Sequence, residues 1–254
     1  MKIDCLMGTY GRYDLVCEAL ACFLQQTRLA DATLLIHNQH PIPLRFDHPR
    51  VRIVNERPPQ GSLRHIRKRM LELADPEAEF IHWIDDDDLY LPWHLEDCLE
   101  NIVGNPAWKP ARSWVSQRNT EYSLGDNVFE GSWIFRAEVA KQAPLDTHPL
   151  YTDHPLHQQL IETGGLATTD LGGRTSYIYR WDTGTEHVSG YGGAADEAMQ
   201  SRNLDSWREH STDFRLGGRL AAADMTGRWQ QFLDGTRHLT SGTDWESNRR
   251  RLGL

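Results

Sequence analysis

Four consecutive aspartates, Asp85 to Asp88, follow directly on an apolar run in FIHWIDDDDLYLP. Neighbouring carboxylates repel and raise one another's pKa unless a cation or strong hydrogen-bond donors compensate. Along an extended chain side chains alternate, so Asp85 and Asp87 are expected on one side and Asp86 and Asp88 on the other. Two carboxylates converging on one side suit a hard divalent ion such as Mg2+ or Mn2+. Spacing argues against two other acidic-site chemistries. An EF-hand needs an oxygen ligand where Leu89 stands and a glycine where Tyr90 stands. A phosphatase with an aspartate nucleophile after its first strand needs a DxD there, whereas DCLMGTY holds Asp4 inside the strand. His148, His154 and His157 invite a zinc reading, but no fourth ligand stands at a standard spacing.

The elements that must position the acidic run follow from periodicity. KIDCLM reads as a buried strand and GTYGR as a glycine-punctuated turn. Leu15, Val16, Ala19, Leu20, Phe23 and Leu24 then recur at helical spacing, with Asp14 placed as the cap. ATLLIH, VRIV and EFIHWI read as strands, and GSLRHIRKRMLELA as a helix from Ser62. Strands alternating with helices predict a parallel, doubly wound α/β sheet, whose ligands bind beyond the carboxyl ends of the strands. GTYGR and the aspartates both fall at such ends. Beyond residue 105, RSWVSQ, NVFEGSWIFR and TSYIYRW read as strands of a mixed region. AEVAKQ and DHPLHQQLIETGG read as helices, the second stopped by Gly164 and Gly165. From residue 194 the chain is polar and expected to be helical.

The chain has 254 residues, 39% of them hydrophobic, enough to bury a substantial core. A formal net charge of −9 argues against general polyanion binding, although RHIRKR and NRRR are locally basic. No apolar stretch approaches membrane-spanning length. MKIDCLMGTYGRYD turns polar too quickly for a signal peptide. Cys5, Cys17, Cys22 and Cys98 form no CxxC pair, so free thiols and a cytoplasmic location are expected.

TYGR after the first strand, a helix ending in QQT, and WIDDDDLYLP after a later strand together resemble a family-2 glycosyltransferase of the glycosyltransferase-A fold. The resemblance continues through GSWIFRAEV and YTDHPLHQQLIETGG to YIYRWDTGTEHVSG. It implies a Rossmann-like, mixed and mainly parallel sheet flanked by helices. Residues 1–192 would form the catalytic domain, with a nucleotide-binding half (1–104) and an acceptor-side half (105–192). Residues 193–254 would be a helical extension.

The resemblance also implies an inverting, metal-dependent transfer of a sugar from a nucleoside-diphosphate sugar to an acceptor hydroxyl. Asp87 would hold Mn2+ or Mg2+, with Asp85 contacting the nucleotide or sharing the ion and His187 completing the site. Asp86 is placed on the donor side with Asp85, and Asp86 and Asp88 are also candidates for shaping the loop. Thr9, Tyr10 and Arg12 would line the nucleotide pocket, Tyr10 stacking on the base and Arg12 facing the phosphates. Asn38 stands where the family usually has a base-reading aspartate, so a UDP-sugar is the first expectation but the donor base stays open. Arg67 or Arg64 would replace an arginine of the family's usual helix start. Asp153 matches the catalytic base, with helix capping or a His154 base as alternatives. Trp133, and secondarily Trp93, are candidates for an acceptor platform. Acceptor glycan, protein and modified nucleic acid, DNA included, all remain open. Two rival functions share the scaffold. A sugar-nucleotide pyrophosphorylase wants more Lys and Arg near the N-terminus, and a non-catalytic nucleotide- or glycan-binding module would not need Asp87, His187 and Asp153 together.

Overall fold

The computed structural model describes residues 1–10, 12–56, 63–117, 121–142, 153–181, 214–215 and 224–254. In chain order the first half comprises β1 (Ile3–Thr9), α1 (Tyr13–Leu24), β2 (Ala32–Asn38), β3 (Leu44–Arg45), β4 (Val51–Asn55), α2 (Leu63–Leu73), β5 (Phe80–Trp83), β6 (Leu89–Tyr90) and α3 (His94–Asn101). The second half adds β7 (Ala107–Pro110), β8 (Arg112–Gln117), β9 (Glu121–Asp126), β10 (Ile134–Arg136), α4 (Ala137–Lys141), α5 (Asp153–Glu162), β11 (Leu166–Thr169), β12 (Tyr177–Trp181) and β13 (Phe214–Arg215). Helices α6 (Met225–Thr236) and α7 (Gly242–Leu252) follow.

Seven strands form the main sheet in the order β11-β7-β10-β5-β1-β2-β4. All of its pairings are parallel except those of β10, which runs against both β5 and β7. The mixed, mainly parallel α/β sheet is therefore the one expected. Its strands read as nearly unbroken apolar runs because both faces are covered. Ile3, Cys5 and Met7 of β1 face a core shared with α1, α3 and α6, while Leu6 faces a second core with α2, α4 and α5. A four-stranded sheet, β6-β12-β8-β9, packs beside the first core, and β6 reaches it directly after the aspartates.

Two local readings change. Asp14 does not cap α1: the N-cap residue is Arg12, without a side-chain cap bond, and Asp14 lies in the first turn where its charge favours the helix dipole. β5 ends at Trp83, and Asp86–Asp87 form a turn, so strand alternation does not extend over the aspartates. The four cysteines are buried free thiols, as expected. Among the described residues no helix is long and apolar enough to cross a membrane.

The C-terminal helices are well delimited. Asp224 accepts from Gly227 N at the start of α6, and Ser241 from Asp244 N at the start of α7. Gly253, at φ +73°, supplies the left-handed stop of α7. Trp229, Phe232 and Leu233 of α6 belong to the same buried core as β1, α1 and β8. Phe232 sits edge-on to both Trp114 and Tyr122. Phe232→Ala should therefore lower unfolding free energy by about 3–5 kcal/mol in urea titrations monitored by tryptophan fluorescence.

Candidate active site

The carboxyl ends of adjacent parallel strands β1 and β5 lie side by side, with Leu6 paired to Trp83 and Ile84 N donating to Leu6 O at 3.0 Å. The turn after β1 thus meets the acidic segment after β5. Arg12, at the start of α1, donates to both Asp86 oxygens and to Asp87 Oδ2, the last at 2.5 Å. Asp86 and Asp87, expected on opposite sides, therefore share one guanidinium, because the backbone turns there instead of running extended. Burial alone would lower the Arg12 pKa, but Asp86, then Asp87 and Asp85, raise it overall. Burial, reinforced by Asp87, pushes Asp86 up despite Arg12, and the Thr9 hydroxyl lies beside it.

Asp88 is fully buried and turned the other way. The Tyr177 hydroxyl donates to its Oδ2 and Arg180 N to its Oδ1 at 2.9 Å. Arg180 Nε also donates to the Asp87 carbonyl, and its Nη1 pairs with Glu18 of α1. Glu18 in turn pairs with Arg228 of α6 at 2.6 Å. Burial would raise the Glu18 pKa, but Arg180 and Arg228 hold it below the usual carboxylate range. The acidic turn is thus braced from β12, α1 and α6.

Asp85 is the most accessible of the four, its side chain 40% exposed. Its backbone N–H donates to the Tyr90 hydroxyl at 2.8 Å. Arg67 of α2 stands 3.8 Å from the Asp85 carboxylate, lies over the Trp83 ring, and pairs with Glu130 at 2.9 Å. A Cβ on Gly131 would collide with the Asp85 carboxylate as it lies, so the glycine leaves the acid its room without a shift.

Thr9, Arg12, Arg67, Asp85, Asp86 and Asp87 are therefore brought together. Tyr10 stands at the rim, 42% exposed and edge-on to His40 at 5.5 Å. Asn38 is different: it is buried, its Nδ2 donates to Ile42 O and Asn55 Oδ1, and its Oδ1 accepts from His40 N. Its amide organises the loop after β2. The two tryptophan platforms also need correction. Trp133 is covered, with Lys109 Nζ 4.9 Å from its ring, and Trp93 is covered by Arg251 at 4.5 Å. Neither presents a ring face to an acceptor, because each serves as core with a cation laid over it. Asp153 is the first residue of α5. His187 lies outside the described residues.

Sequence reasoning missed Glu18, Glu130, Tyr177 and Arg180. TSYIYRW was read as a strand, but nothing in its pattern says that Tyr177 and Arg180 close on Asp88.

The geometry defines a class of fold, the glycosyltransferase-type α/β fold with an acidic cluster at the strand ends. It superposes on S. aureus TarS 1-349 solved in complex with UDP-GlcNAc, with a TM-score of 0.55 and 12% identity, over 92% of this chain and 79% of that one. It also matches a mannosyltransferase from Pyrobaculum calidifontis, solved with GDP-Man and Mn2+, with a TM-score of 0.51 and 14% identity, over 99% of this chain and 84% of that one. In sequence, the chain is 24% identical over 106 residues to YwdF of Bacillus subtilis (strain 168), an uncharacterized glycosyltransferase. That match spans 40% of this chain and 38% of the relative. No family model matches the chain.

Two measurements test the site. Arg12→Met leaves Asp86 and Asp87 facing each other without a counter-ion. It should cost about 3–5 kcal/mol in chemical denaturation, much of it recovered in Arg12→Met/Asp86→Asn. Asp88 gives a pH dependence. Burial, then Asp87 and Asp85, raises its folded pKa well above 3.8. The native state therefore holds more protons than the unfolded one, and this contribution to stability is lost as pH rises through 3.8 towards the folded value. Asp88→Asn keeps an acceptor for Arg180 N and should remove that slope, so the variant gains on the wild type as pH increases in parallel urea titrations.

Proposed function

We propose that this protein transfers a sugar from a nucleoside-diphosphate sugar, a UDP-sugar in the first instance, to an acceptor hydroxyl with inversion and with the help of a divalent cation. The observation that carries this reading is the convergence of Arg12, Arg67, Asp85, Asp86 and Asp87 at the carboxyl ends of β1 and β5. The similarity of the fold to structures solved with UDP-GlcNAc and with GDP-Man and Mn2+ supports it.

The donor set suits Mn2+ or Mg2+: carboxylate oxygens are hard ligands, and the glycine at position 131 keeps the space around Asp85. Asp85 and Asp87 would hold the ion, with His187 as a further ligand. A bound cation there would neutralise charge developing on the departing diphosphate. Arg12 would exchange part of its contact with Asp87 for the donor phosphates, a fork-shaped partner for phosphate oxygens. Arg67, held over Trp83 and by Glu130, would stay beside Asp85 and add positive potential on the donor side. Tyr10, exposed at the rim, would pack on the base.

At the acceptor, Asp153 would take the hydroxyl proton as that oxygen attacks the anomeric carbon. The bond from that carbon to the diphosphate oxygen breaks at the same time, and the nucleoside diphosphate leaves with the electron pair. Backside attack inverts the anomeric centre.

The test is a panel of UDP- and GDP-sugars assayed for binding and hydrolysis with and without Mn2+. Metal should tighten donor binding in the wild type and fail to do so in Asp87→Asn; metal-independent binding in both would overturn the cation's role. Asp153→Asn should lower transfer by roughly 10²–10⁴-fold while donor affinity and Tm stay near wild type. A loss of Tm without a specific loss of transfer would make Asp153 a helix cap instead.

A further inference from the structure

On the face of β5 opposite Trp83, His82 points into the first core, where α3 packs. His94 and Cys98 are four residues apart on α3 and so share one helix face. His82 Nε2 and His94 Nε2 stand 2.8 Å apart, and Cys98 Sγ lies 3.7 Å from His94 Nε2. All three ligand atoms fall within 4.8 Å of one another, and all three residues are fully buried. None of them takes part in the acidic site.

We propose that His82, His94 and Cys98 bind a zinc-class metal ion that staples β5 to α3. Two imidazoles and a thiolate form a borderline-soft donor set that selects Zn2+ over Mg2+ or Mn2+. Tetrahedral zinc with Zn–N near 2.1 Å and Zn–S near 2.3 Å places its ligand atoms about 3.3–3.7 Å apart. The Nε2–Sγ separation of 3.7 Å already meets that spacing, and the two imidazoles need to part by only about half an ångström from 2.8 Å. Both histidines present Nε2, and His94 Nδ1 stands 3.0 Å from Ser176 Oγ. The Ser176 hydroxyl also lies beside the buried Asp97 carboxylate, so His94 has polar outer support of the kind that orients metal-bound histidines. The carboxylate also offsets the charge left by one thiolate against a divalent ion. The fourth position falls to water or to Cys5, which β1 register sets beside His82.

The location has a consequence for the acidic segment. His82 precedes Asp85 by three residues and His94 follows Asp88 by six, so the metal would clamp both ends of that segment. This site is chemically distinct from the carboxylate cluster and stands whether or not the protein transfers sugars.

The test is elemental analysis of the full chain purified from zinc-replete medium without chelator. About one zinc per chain should survive dialysis. Asp87→Asn should retain it, and Cys98→Ala should lose it with an unchanged far-UV circular dichroism spectrum. Cobalt substitution should give thiolate-to-metal charge-transfer absorption in the wild type and none in Cys98→Ala. A wild-type chain that carries no zinc and takes up no cobalt overturns the proposal. So does a Cys98→Ala or His94→Gln chain that binds as much as wild type. If His94→Gln does not fold, Cys98→Ala alone decides.

Discussion

A run of four carboxylates can be folded into a protein only if each is given its own counter-charge or donor. Taking an ion out of water costs several kcal/mol even after relaxation, and an unpaired neighbour of the same sign adds to that cost. Here the compensation comes from separate parts of the chain. Arg12 serves Asp86 and Asp87, Tyr177 and the Arg180 backbone serve Asp88, and Arg67 stands by Asp85. The β1–α1 junction, helix α2 and strand β12 are therefore held in register by one short acidic turn. Three of the four aspartates are buried, so the turn is part of the interior and not a solvated loop.

The scaffold around the turn explains why the charges can be concentrated there. Parallel strands covered on both faces leave their carboxyl ends as the place where polar chain can gather. β6 and β12 then fold over the acidic turn from a second sheet, with Tyr90 and Tyr177 paired in register. Those two rings bring hydroxyls to Asp85 N and Asp88 without bringing charge. The arrangement trades accessibility for rigidity at three aspartates and keeps Asp85 the more exposed one.

Much of the main sheet was legible because its strands are apolar runs closed by turn residues, as in KIDCLM before GTYGR and ATLLIH before NQHPIP. Helix α1 was legible from its period, but its cap was not, since Arg12 stands at the N-cap for the sake of the aspartates and not for the helix. Helix α3 gave no clear signal: its N-cap, Trp93, makes no side-chain cap bond, and it carries His94, Asp97 and Cys98 on its buried side. The strand AWKP contains a proline and a lysine and reads as neither strand nor core, yet it is buried. The acidic cluster was legible from its place behind an apolar strand, but its internal division was not. Alternation presumes an extended backbone, and the turn at Asp86–Asp87 removes that premise. Trp93 and Trp133, candidates for an acceptor platform in the sequence, are both buried in the structure. In each case a cation from a distant part of the chain lies over the ring, Lys109 on Trp133 and Arg251 on Trp93.

The contact between Arg180 and the Asp87 carbonyl spans 93 residues of sequence. At translation rates of about 5–20 residues per second, the acidic turn waits roughly 5–20 s for its partner to be made. Through that interval Asp88 has neither Tyr177 nor Arg180, and the turn must remain hydrated. Glu18 and Arg228 are separated further still, by 210 residues. The order of synthesis therefore sets a late step in the folding of this protein: the first strands can pair early, but the acidic turn can be sealed only after β12 has emerged.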